Sequence, residues 1–151
     1  DFELNYRAGD GIDRLRVGTP PILGLVALDA ALDVWDHVDI ADVRARSIEL
    51  SEAFVEEVSA GCPTLKLASP SDPHARGSQV SYHFEQGYAA MQAMIDRKII
   101  GDFRAPDLMR FGFTPLYIDV DQVRAAARTL CDVINLNLWD DPKYKTRQKV
   151  T

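Results

Sequence analysis

The run Asp102-Phe103-Arg104-Ala105-Pro106-Asp107-Leu108-Met109-Arg110-Phe111-Gly112-Phe113-Thr114-Pro115-Leu116-Tyr117 constrains the fold more than any other stretch. Pro106-Asp107 reads as a turn, and from Leu108 onward the residues alternate with the period of a half-buried strand. Met109, Phe111 and Phe113 then share one face, while Leu108, Arg110 and Gly112 share the other. The spacing thus sets a guanidinium opposite the core face, beside a residue without a side chain. A glycine inside a strand often marks the close approach of a ligand or another backbone. Arginine is the side chain that grips a carboxylate through two parallel hydrogen bonds. Spacing alone leaves two readings open: a solvated surface arginine, and a carboxylate-binding arginine on a rigid strand.

The remaining elements follow from periodicity and punctuation. Residues 1–17 show no sustained period and read as a connector, with one helical turn at Gly11–Leu15. Pro20-Pro21 suits a helix start, and Thr19 sits where a hydroxyl can cap the first free amides. The helix expected over Ile22–His37 is apolar almost all round, which suits burial on several sides and suggests packing on a domain absent from this chain. A second helix, Ile40–Ala60, carries Ile40, Val43, Leu50, Phe54 and Val58 on one stripe. Arg44, Arg46, Glu49, Glu52, Glu56 and Glu57 form a face that reads as solvated. A short strand over Thr64–Ala68 precedes a loop rich in Ser and Pro. Val80, Tyr82 and Phe84 then alternate with Ser81, His83 and Glu85 as another half-buried strand. A helix over Tyr88–Lys98 and a strand over Ile99–Arg104 lead into the Arg110 strand. Asp119 and Gln122 form a capping box for a last helix reaching about Leu138. This order predicts an α/β domain of the α+β type, a mainly antiparallel sheet of three or four strands with helices on one face. The expected boundaries are a connector over 1–21, one domain over 22–139 and a polar, frayed tail over 140–151.

Composition excludes several classes. The 151 residues suffice for one domain with a real core. A net charge of −6 provides no basic stripe for nucleic acid or an anionic membrane surface. Asp29, Asp33 and Asp36 interrupt the apolar helix, so it is not a membrane span. The start Asp1-Phe2-Glu3-Leu4 lacks a signal-peptide pattern, and it reads as the middle of a longer chain. Cys62 and Cys131 lack metal-type spacing and read as reduced thiols of a cytoplasmic protein. His37, His74 and His83 fall on different elements and form no metal-ligand set. No phosphate-binding loop, dinucleotide turn or nucleophile elbow occurs in the chain.

Three blocks carry a family resemblance. The run from Asp102 to Tyr117, the block Arg16-Val17-Gly18-Thr19-Pro20-Pro21-Ile22, and the block Arg76-Gly77-Ser78-Gln79-Val80-Ser81 stand in an order and spacing that resemble the C-terminal part of kynureninases. The ordered set spans nearly the whole chain. It implies the small C-terminal domain of a pyridoxal-phosphate enzyme of the aspartate-aminotransferase (fold-type I) group. It further implies a homodimer in which Thr19 contacts the cofactor phosphate of the neighbouring subunit, and in which Arg110 binds the substrate α-carboxylate. The implied reaction of the full-length protein is hydrolysis of L-kynurenine to anthranilate and L-alanine, with 3-hydroxykynurenine a further possible substrate.

By the same resemblance, the cofactor-forming lysine and other catalytic groups belong to a large N-terminal domain that precedes this chain. None of Lys66, Lys98, Lys143, Lys145 and Lys149 lies in the family's lysine motif. The chain alone is therefore expected to be inactive, with no catalytic residue of its own. Arg104 is expected to pair with Asp102 or Asp107 and to fix the turn. Two other readings stand beside this one: a stand-alone α/β module that binds a carboxylate without catalysis, and a cysteine desulfurase-like relative of the same fold group.

Overall fold

A computed structural model of the chain describes residues 4–5, 7–16 and 18–146. The chain divides into two compact units, Asp1–Asp39 and Ile40–Thr151. The division falls inside the 22–139 stretch that the sequence reading treats as one domain.

The first unit holds a 3-10 turn at Gly11–Leu15, helix α1 over Ile22–Leu32 and a 3-10 continuation over Asp33–His37. None of the residues in these three elements is buried. Apolar residues surround α1 without forming a stripe, so its sequence names no single face to pack. Leu23, Val26 and Leu28 all remain more than half exposed. The helix also starts later than a Thr19 cap requires. Its cap residue is Pro21, which makes no side-chain capping bond, and Thr19 lies in an exposed bend.

The second unit begins with α2, Ile40–Gly61, and continues with β1 (Lys66–Leu67), β2 (Gln79–His83), α3 (Gly87–Asp96), β3 (Asp102–Arg104), β4 (Leu108–Gly112), α4 (Val120–Asn135) and α5 (Pro142–Lys145). The strands form one antiparallel sheet in the order β1-β2-β4-β3. Register sets Val80 beside Phe111 and Tyr82 beside Met109, which in turn faces Phe103. Those side chains share one face of the sheet, as the period of two demands. Helix α2 covers that face with Phe54, whose ring lies 5.0 Å from Phe111 and 5.3 Å from Phe113. Leu50, Val58, Met91, Met94, Val123, Leu130 and Val133 complete the core from α2, α3 and α4. The expected antiparallel sheet with helices gathered on one side is the fold observed.

Capping and ion pairs fix the helices. Asp119 and Gln122 form the expected capping box of α4. The charged face of α2 is less solvated than its composition suggests. Arg124 and Arg128 of α4 reach Glu57 at 3.1 and 3.2 Å, and Arg124 foremost holds the Glu57 carboxyl below its usual range. Arg44 donates to the carbonyls of Pro73 and Arg76, at 2.7 and 2.9 Å. Arg76, itself buried, donates to the carbonyls of Pro70 and Ser71 and pairs with Glu52. Two arginines thus clasp the β1–β2 loop onto α2. Cys62 and Cys131 are free and buried, and burial pushes the Cys131 thiol up to about 11.

The described part of the polar tail expected from residue 140 includes a short helix, α5. Pro142 starts α5, and Asp141 caps it by accepting from the Lys143 amide. Tyr144 is buried, and its hydroxyl donates to Asp96 of α3 at 2.8 Å. Lys143 reaches the same carboxylate at 2.9 Å. The sequence pattern concealed this because a single aromatic residue among charges has no period to detect. The Lys143 and then the Tyr144 hydrogen bond depress the Asp96 carboxyl below its usual 3.8. A depressed carboxyl stabilises the fold fully above that value and loses the contribution as pH falls through its folded value. The contribution of this pair to α5 docking should therefore persist down to about pH 4 and be lost only in stronger acid. Amide exchange across Pro142–Lys145, followed by mass spectrometry against pH, reads this directly; release above pH 5 contradicts the pairing.

Candidate functional site

Opposite the core, the sheet presents a polar face. Register aligns Ser81 of β2, Arg110 of β4 and Asp102 of β3 in one row across the strands. The next row brings His83 beside Leu108 and Arg104. The Arg110 guanidinium lies along the sheet and not straight out. Its Nε donates to Asp102 Oδ2 at 3.0 Å, and its Nη2 donates to the same oxygen. Arg104 Nε stands 3.3 Å from that oxygen as well. One carboxylate is thereby shared by two arginines, with the Arg110 hydrogen bond the main reason why the Asp102 carboxyl lies below its usual range.

Arg110 is held on one edge only. The Nε–Nη2 edge faces Asp102, while Nη1 has no hydrogen-bond partner among the described residues. A planar guanidinium offers five donors in a fixed fork, so the Nη1–Nη2 end remains able to take a second carboxylate in two parallel bonds. The Arg110 side chain is 27% exposed. Counting charges, Asp102 balances one of the two arginines and leaves one positive charge over. Two residues along from Arg110, a Cβ added to Gly112 would meet nothing within 4 Å among the described residues.

Behind the arginine, close packing demands a glycine at Gly101. A Cβ at Gly101 would stand 2.9 Å from the Arg110 carbonyl and 2.8 Å from Met91 Cε. Gly101 lets the start of β3 lie against β4 directly behind the arginine. Nearby, His83 Nδ1 lies 3.1 Å from Asp107 Oδ2, which ties the end of β2 to the turn before β4. The Ser81 amide donates to Ser69 Oγ at 2.9 Å, pinning the end of β1 over this row. The sequence reading picked out Arg110 and proposed Asp102 or Asp107 as the partner of Arg104; Asp102 is that partner. It did not foresee that Arg110 shares Asp102, since the register between β3 and β4 sets that contact.

Thr19 belongs to the other unit. It is exposed, and its hydroxyl makes no hydrogen bond to a described residue. Among the described lysines, Lys143 and Lys145 pair with Asp96 and Asp140. Lys66 and Lys98 are exposed, and Lys149 lies outside the described residues. No group of three potential metal ligands occurs among the described residues, and no described helix is long and apolar enough to cross a membrane. A mainly apolar pocket of about 540 Å³ is lined by Ile99, Gly112, Phe113, Ile118 and Val123 and does not include Arg110.

Comparison with known proteins places these features in a family. The model of the kynureninase C-terminal domain matches residues 43–130, which carry most of α2, the whole sheet, α3 and most of α4. A kynureninase of Pseudomonas fluorescens is 39% identical over 152 aligned positions, covering 99% of this chain and 36% of the relative. Kynureninases of Burkholderia mallei (strain SAVP1) and Burkholderia pseudomallei (strain K96243) are 42% identical over 148 positions, covering 97% of this chain and 36% of each relative. The chain thus spans about a third of the length of the curated relatives it matches.

Proposed function

We propose, for a chain that belongs to the kynureninase C-terminal domain family, that it forms the carboxylate-binding part of a pyridoxal-phosphate-dependent hydrolase acting on L-kynurenine. The observation that carries this reading is the half-held Arg110, with one guanidinium edge on Asp102 and the other edge open on a polar sheet face. Two parallel bonds to the α-carboxylate would fix the amino acid's orientation, and fixed orientation is a large part of what an enzyme contributes to rate. Thr19, exposed and unpaired among described residues, would hold a phosphate oxygen of the cofactor across a dimer interface. When bound, pyridoxal phosphate supplies the electron sink for cleavage beside the ketone. The lysine that would hold it covalently belongs to the large N-terminal domain expected ahead of this chain.

The apolar surface of α1 fits that arrangement. Exposed apolar area of this extent usually marks a surface that another domain or subunit covers. The assembled enzyme would be a cytoplasmic homodimer, with products anthranilate and L-alanine.

Two preparations test the reading. The full-length protein should release anthranilate from L-kynurenine in the presence of pyridoxal phosphate. The 151-residue chain should release none, and after borohydride reduction it should carry no stoichiometric cofactor mass. Anthranilate release by the short chain, or a full-length protein inert toward kynurenine, overturns the assignment.

A further inference from the structure

We propose that Asp102 is a positioning residue, which presents the open end of Arg110 to the substrate; this rests on the carboxylate-binding reading of Arg110. The two residues are direct cross-strand partners on β3 and β4. Asp102 Oδ2 takes both donors of one guanidinium edge, Nε at 3.0 Å and Nη2. A long, flexible side chain held by one edge in this way loses its freedom to rotate about its final bonds, and the opposite end points in a fixed direction before any ligand arrives.

The placement of Asp102 is itself fixed. Its strand can approach β4 only because Gly101 has no Cβ, and Arg104 Nε, 3.3 Å away, grips the same oxygen from the neighbouring row. With Arg104 on it, Asp102 does not neutralise Arg110 outright. The triad of Asp102, Arg104 and Arg110 keeps one positive charge, the complement of a single carboxylate. A substrate carboxylate on the Nη1–Nη2 end therefore adds to the Asp102 contact and does not replace it.

The test uses the full-length protein and two aryl ketones. 3-Benzoylpropionate keeps the carboxylate of kynurenine but lacks its α-amino and ring amino groups, and propiophenone lacks the carboxylate as well. Binding is read by calorimetry for wild type, Asp102→Ala, Asp102→Asn and Arg110→Ala, with melting temperatures alongside. Asp102→Ala should weaken 3-benzoylpropionate about tenfold and leave propiophenone unchanged, because a mobile guanidinium must be ordered on binding. Asp102→Asn keeps one acceptor oxygen and should weaken it only about threefold. Tighter binding of 3-benzoylpropionate by Asp102→Ala would mean that Asp102 occupies the substrate's place, and the proposal falls. Wild-type affinity in both folded Asp102 variants, with a clear loss in Arg110→Ala, overturns the positioning role and leaves the role of Arg110 standing. Wild-type affinity in Arg110→Ala overturns both.

Discussion

Arg110→Ala in the full-length protein should lower kcat/KM for L-kynurenine by about two or more powers of ten. Hydrogen bonds to charged groups contribute about 1.5–3 kcal/mol each, and the open end of Arg110 offers two. Arg110→Lys should recover only part of the loss, since an ammonium cannot supply two coplanar donors. The structure adds an expectation about stability. Removing Arg110 does not strand a buried charge, because Asp102 is 47% exposed and retains Arg104. Exposed pairs contribute about 1 kcal/mol or less, so the melting temperature should shift by only a few degrees. The measurement is kcat/KM beside the melting temperature for Arg110→Ala, Arg110→Lys and Arg104→Ala. Arg104, more exposed and one row away, should affect activity far less. Loss of activity in Arg104→Ala at unchanged stability, with Arg110→Ala near wild type, would reverse the two assignments.

Phe54→Ala should be the most destabilising single truncation in the second unit. Phe54 is 1% exposed and touches rings from both central strands, with Tyr82 at 6.3 Å and Phe111 and Phe113 closer. It is the largest fully buried side chain that α2 contributes to the core. Phe→Ala in a close-packed core costs about 3–5 kcal/mol, against a typical total of about 5–15 kcal/mol. Denaturant midpoints of the 151-residue chain should fall sharply, and some variant preparations should already be partly unfolded in buffer. A loss below about 1 kcal/mol would mean that α2 is not anchored on the sheet through this ring.

Local periodicity made most of the second unit legible. The strands at 79–83 and 108–112 alternate, α2 and α4 carry apolar stripes, and Asp119 with Gln122 spells out a capping box. What local patterns could not supply were contacts set by register and by distant sequence. The sharing of Asp102 by Arg104 and Arg110 depends on how β3 slides along β4, and the clasp of the 70–76 loop depends on Arg44 reaching it from α2. Tyr144 docks through one aromatic ring and one carboxylate, too few residues to form a pattern. The helix at 22–32 is legible in another way. Apolar residues on all sides indicate burial but name no partner, and the helix buries none of its residues in this chain. Thr19 illustrates the limit of cap rules: a proline two residues later takes the cap position instead.

The claim at the centre of this account is that Arg110 offers its Nη1–Nη2 end to a carboxylate while Asp102 keeps the other edge. Electron density for 3-benzoylpropionate bound to the full-length protein tests it most directly. The expected map places the ligand carboxylate in two parallel hydrogen bonds on Arg110, with the Asp102 contact to Nε retained. A ligand carboxylate bound elsewhere, or one that has displaced Asp102 from Arg110, contradicts it.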